Sequence, residues 1–134
     1  MTLTLLVLRW LHLVAAATWT GGLIVLAALV VALRRAGAER SLLQATARQF
    51  GKVSWVAMVI AIATGVAQVE LYGWPWTYGR LHAKLGLVAL TLGLALYHQR
   101  TAATSSPAQR GVVQLAILLA SLAVFGAAVS LRAG

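Results

Sequence analysis

The sequence predicts an all-α integral membrane protein: a four-helix bundle of antiparallel, up-down spans, one domain over residues 1–134, with both termini on the non-cytoplasmic side. Three observations carry this expectation. Hydrophobic residues make up 61% of the 134 and charged residues only 10%, where a soluble domain has about 25% charged. The few charged residues leave four long charge-free runs. Those runs are continuously apolar rather than alternating, which suits spanning helices and not a membrane barrel. The composition excludes a soluble enzyme, a disordered chain and a soluble DNA-binding domain. The absence of cysteine removes disulfides, iron–sulfur clusters and thiolate metal sites.

A hydrocarbon core of about 30 Å needs roughly 20 apolar helical residues. Leu11–Leu33 contains no Lys, Arg, Asp or Glu; nor do Val53–Val69, Leu85–Gln99 and Gly111–Leu131. These runs predict helices near 3–33, 51–71, 79–100 and 110–131. The first 17 residues have the outline of a signal peptide, with Ala15 and Ala17 as an A-x-A site. Arg9 breaks that outline and the apolar run continues to Leu33, which favours a retained first span. Between spans 1 and 2, residues 41–50 predict a short amphipathic helix capped by Ser41, with Leu42, Leu43 and Phe50 dipping into the inner leaflet. Tyr72–Gly79 brings four aromatics together with Gly and Pro, an interfacial aromatic belt with turn chemistry. Residues 101–109 predict a polar turn. Ala17/Gly21, Ala61/Gly65 and Ala89/Gly93 are small-xxx-small pairs suited to close helix packing.

Loop charge sets orientation. Arg34, Arg35, Arg40, Arg48 and Lys52 lie around the 1–2 connection, and Arg100 and Arg110 around the 3–4 connection; Arg9, Arg80, Lys84 and Arg132 lie on the other side. The positive-inside rule places the first set in the cytoplasm of a cell whose inner (cytoplasmic) membrane holds the protein. The net charge of +9 then reports basic loops beside an anionic leaflet. The lipid bilayer is the expected partner, and nucleic acid is not.

Ionisable groups within a span are costly and mark function. Helix 4 has none between Gly111 and Leu131, and helix 2 offers only Gln68 and Glu70 at its outer end. The candidates are Arg9, His12, Arg80, His82, Lys84 and His98. At 1.5 Å per residue, His12 lies about 33 Å from Arg34, while His82 and Lys84 lie about 27 and 24 Å from Arg100. These three share the outer third of the bilayer. His98 lies about 3 Å from the inner end and cannot share an ion with His12. The favoured reading is a haem b between helices 1 and 3, with His12 and then His82 as metal ligands. Arg9 and Arg80 would pair with propionates, and Trp19 and Trp10 would lie against the ring. Each has a plainer role: interfacial hydrogen bonding for the histidines, snorkelling for Lys84, a rim ion pair for Glu70.

Two stretches resemble a known superfamily. Arg9-Trp-Leu-His12 through Trp19-Thr-Gly-Gly22 resembles the first-helix motif of the copper resistance protein CopD family, a histidine followed at +7 by Trp and then Gly-Gly. Tyr78 to His98 resembles the third helix of CopD and of the HemJ-type protoporphyrinogen oxidases, and Thr64-Gly65 fits as well. The HemJ resemblance implies haem b, a functional pair at His12 and Lys84 with Lys84 as the catalytic position, and a Tyr-His pair at Tyr97-His98 as a cofactor-binding element. An oxidoreductase of that kind needs an electron-transfer partner. The end of helix 1, Leu26 to Arg35, departs from the HemJ pattern, which has a Pro-Arg segment there. The CopD resemblance implies the alternative, copper uptake or tolerance without haem. With no Cys and only Met1 and Met58 as soft ligands, copper would rely on His12 and His82. A homodimer, or a bundle that docks on a partner membrane protein, is a further expectation.

Overall fold

The computed structural model describes residues 2–133, with side chains described through 131. Its order is α1 (Leu3–Arg35), α2 (Arg40–Tyr72), α3 (Gly79–Thr101) and α4 (Pro107–Ala133). All four helices are long and apolar enough to cross a membrane, so the chain is an all-α, multi-pass membrane protein. It divides into two compact units, Met1–Trp74 and Pro75–Gly134.

The first unit is an antiparallel pair of 33-residue helices, each about 50 Å long. Its turn is set by Gly37, in the left-handed region at φ 77°, where a side chain would be strained. The Ala38 N–H donates to Leu33 O and the Gly37 N–H to Arg34 O, the Schellman pattern that satisfies the last carbonyls of a helix. Gly73 (φ 66°) ends α2 in the same way, with the Trp74 N–H donating to Val69 O and the Gly73 N–H to Glu70 O.

Here the expectation for the 1–2 connection needs correction. Residues 41–50 are helical, but they form the first turns of α2 and not a separate amphipathic helix. Nothing in that stretch stops a helix: it has no Pro and no Gly before Gly51. Ser41 does not cap it either. Glu39 is the N-cap, and the Ser41 hydroxyl donates to the Glu39 carboxylate at 3.5 Å. Phe50 lies over Gly22 of α1, where a Cβ would overlap its ring.

The α1–α2 seam follows a heptad-like spacing. His12, Ala15, Trp19, Gly22 and Leu26 recur at intervals of three and four on α1, and Phe50, Ser54, Ala57, Ala61 and Thr64 do so on α2. Ala15, Trp19, Leu26, Ser54, Ala57 and Thr64 are buried. This is the periodicity of knobs-into-holes packing. The small-xxx-small expectation holds at one of its three glycines. A Cβ at Gly65 would press on His12, whereas at Gly21 or Gly93 it would meet nothing within 4 Å.

The second unit pairs α3 with α4. Leu81, Thr91 and Ala95 of α3 and Ile117, Ala120, Ser121 and Leu131 of α4 are buried. α4 begins at Pro107, three residues before the expected start. Ser106 accepts from the Gln109 N–H at 3.1 Å, while the Gln109 side chain accepts from the Ser106 N–H at 3.0 Å. That reciprocal pair is a capping box, with Pro at the first helical position. Arg110 donates to Ala102 O and Ser105 O, closing the end of α3.

Candidate functional site

In a helix pair held by apolar contacts, a buried polar group must find a partner inside the structure. The α1–α2 seam has such a polar cluster, centred on His12. Its Nδ1 lies 2.7 Å from Ala61 O and 3.1 Å from Thr64 Oγ. A carbonyl oxygen can only accept, so Nδ1 carries the proton. In the neutral ring the lone pair then resides on Nε2. Thr64 is itself held: its hydroxyl donates to Ile60 O at 2.6 Å, which turns an oxygen lone pair toward the His12 Nδ1–H.

Three elements position this imidazole. The heptad spacing turns His12 onto the α2 face of α1. Thr64, 7% exposed, bonds back to its own helix as hydroxyls in apolar helices do. Gly65 supplies the room: a Cβ there would stand 3.2 Å from His12 Cε1 and 3.5 Å from Nδ1. Gln68 extends the polar line by donating to Thr64 O at 3.2 Å.

Further along the same seam, Trp19 is 6% exposed and meets Trp55 edge-on, with ring centroids 6.2 Å apart. Trp10 points away from the seam and is exposed. Met58, three residues from Ala61, is buried in the first unit. Met1 lies outside the described residues. Among the described residues, Ser54 Oγ is buried without a hydrogen-bond partner. A hydroxyl in that state is destabilising by about 1–3 kcal/mol. Ser54 does not stand out in the sequence as part of the seam; the three-four spacing it shares with Ala57, Ala61 and Thr64 is the signal that marks it, and Met58 falls one residue off that spacing.

The other candidates fall in the second unit or at helix ends. Arg9 is half-buried on α1, one turn from His12. Arg80 is exposed at the start of α3, and its guanidinium donates to Ser130 O at 2.8 Å. Ser130 O is one of the last four carbonyls of α4, which lack a helical N–H donor, and a cation there also meets the negative end of the helix dipole. His82 is exposed in the first turn of α3, its N–H bonded to Tyr78 O, and Lys84 is half-buried one residue beyond Ala83. His98 is set apart from them by sixteen residues of α3, about 24 Å. It accepts from the Gln114 side-chain amide at 3.2 Å on α4, and Tyr97 beside it is exposed. The side chain of Arg132 lies outside the described residues.

The arrangement therefore offers one oriented imidazole with a defined acceptor nitrogen in an apolar seam. Among the described residues there is no group of three or more His, Cys, Asp or Glu that could hold a metal ion. In comparisons with known proteins, the family model for copper resistance protein D matches residues 44–134, which takes in α2 from its first turns through α4. No curated protein and no solved structure matches the chain.

Proposed function

Since the chain belongs to the copper resistance protein D family, we propose that it handles copper within the membrane, as cargo taken up or tolerated, and that His12 is its principal ligand. The observation that carries this reading is the 2.7 Å hydrogen bond from His12 Nδ1 to Ala61 O. It fixes the tautomer and the ring plane, so that Nε2 is the coordinating nitrogen. Metal-bound histidines are held in this way, by donating the other ring N–H to a carbonyl or carboxylate. Imidazole suits copper, and a thioether suits its reduced form. Met58, buried three residues from Ala61 along the same helix, is the next soft donor an ion would meet. In the second unit, the exposed His82 at the start of α3 is a separate candidate imidazole ligand.

With few donors in an apolar seam, the site is suited to passing an ion on rather than caging it. The basic 1–2 connection would face the cytoplasm, by the positive-inside rule, and the membrane would be the cell's inner membrane. The family match supports copper, the alternative set out from the sequence, and lends no support to haem b or to oxidase chemistry.

The test is cellular copper content. Cells expressing the protein, grown with added copper, should differ in copper content from cells expressing His12→Ala at equal membrane abundance. Equal content in the two would overturn the reading. A Soret band in the purified wild-type protein, lost in His12→Ala, would assign His12 to haem instead.

A further inference from the structure

Arg9 has no part in the copper reading so far, yet along α1 it is the charged residue nearest His12. The two stand at i and i+3, neighbours on the helix surface with about 5–6 Å between their Cβ atoms. Arg9 is half-buried. Among the described residues it has no hydrogen-bond or ion-pair partner. Helical side chains lean toward the helix N-terminus. The Arg9 guanidinium therefore stands on the outward side of the imidazole, in the orientation that the loop charges favour.

The acidic side chains of the sequence lie elsewhere, and there are two, Glu39 and Glu70. Glu39 caps the far end of α2, about 33 Å along that helix from Ala61. Glu70 is exposed, and at 100° per residue it stands about 180° round α2 from Ala61, on the face turned away from His12. An ion on His12 Nε2 would thus sit in an apolar seam, beside a fixed positive charge and without a carboxylate ligand on the same face.

We infer that Arg9 is a charge filter for this site: it lets monovalent copper reach His12 and discriminates against divalent ions. The inference rests on the copper reading above and names the charge of the cargo. Repulsion grows in proportion to the charge of the ion, and the cost of taking an ion out of water grows with its square. A divalent ion meets twice the repulsion from Arg9, and about four times the desolvation cost, of a monovalent ion of like size. Ligand preference pulls the other way: among divalent first-row metals, nitrogen and oxygen sites favour Cu2+ most. An imidazole alone would hold Cu2+ well, so charge is what makes the site select the reduced ion.

Competition titrations of the detergent-purified full chain at pH 8 test it, with Cu+ under anaerobic conditions and, separately, with Zn2+, a divalent ion that undergoes no redox step. At about 7 Å and a water-like dielectric, one unit charge changes the affinity of a monovalent ion about threefold and that of a divalent ion about ninefold. R9Q should therefore strengthen Cu+ binding about threefold and Zn2+ binding about ninefold. R9K keeps the charge and should match the wild type for both ions, which separates charge from packing. Adding His12→Gln to R9Q should abolish the gain in Zn2+ binding. Equal changes in Cu+ and Zn2+ affinity, or a Zn2+ affinity that R9Q does not raise, would overturn the charge filter and leave the copper reading standing. A Cu+ affinity that His12→Gln alone leaves unchanged would overturn the copper reading itself.

Discussion

His12 and Ala61 are 49 residues apart in sequence and 2.7 Å apart in the structure, joined by an imidazole N–H donating to a main-chain carbonyl. The bond registers α1 against α2 and at the same time decides which imidazole nitrogen can bind a metal. The Ala61 carbonyl also lies within α2, where the Gly65 N–H is its helical donor. Loss of the imidazole therefore leaves no orphaned acceptor, and its effect on stability should be small.

Thr64 orients the imidazole and touches no ion. Thr64→Val keeps the shape and removes the hydroxyl, and should weaken copper binding about tenfold, the lower end of what such supporting partners contribute. Thr64→Ser should restore most of it. A copper titration of the three purified proteins checks this; equal affinity in Thr64→Val would show that the hydroxyl does not position the ring.

Gly65 and Gly21 separate packing from propensity. Gly65→Ala pushes a methyl group against His12 and should reduce copper binding while the protein stays folded. Gly21→Ala meets nothing within 4 Å and should be neutral or stabilising by up to about 1 kcal/mol, from helix propensity. Thermal unfolding and copper binding of the two variants, measured side by side, test the contrast.

Gly22 lies beneath Phe50. Gly22→Ala should destabilise by about 1 kcal/mol, the lower end for overpacking, because a ring edge can shift where backbone cannot. Adding Phe50→Leu should recover part of the loss. A double-mutant cycle measures the coupling; strict additivity would mean that the two residues do not touch.

In the second unit, two helix ends make separate predictions. Ser106→Ala removes the α4 capping box and should destabilise by about 1 kcal/mol. Arg80→Gln removes a charged donor from Ser130 O and should destabilise by about 0.5–1 kcal/mol, less at high salt because a surface charge is screened. Unfolding at low and high ionic strength distinguishes them: the Ser106 effect should not change with salt.

Much of this fold is legible in the sequence because charge is scarce. Arg34, Arg35 and Arg40 bracket one turn and Arg100 and Arg110 another, and bilayer thickness does the rest. What escaped is local. Residues 41–50 look amphipathic, and amphipathicity suggests a helix of its own, but no breaker separates them from Val53 onward. Ser106-Pro-Ala-Gln109 carries a capping signature inside a stretch whose composition reads as a polar turn.

The candidate site divides along the same line. His12 stands out by being polar in an apolar run, and its partners do not: Ala61 contributes a carbonyl, which every residue has, and Thr64 a hydroxyl common in such helices. The spacing His12, Trp19, Gly22 marks a face of α1. Only the paired helix shows that all three meet α2, at Ala61 and Thr64, Trp55 and Phe50.

We propose that the Nε2 of His12 binds copper, and an anaerobic titration of the detergent-purified chain with reduced copper, wild type against His12→Gln, checks that claim. The wild type should bind copper with saturation and His12→Gln should bind it at least about tenfold more weakly, with its helical signal and thermal midpoint close to those of the wild type. Indistinguishable titrations of the two proteins would contradict the claim.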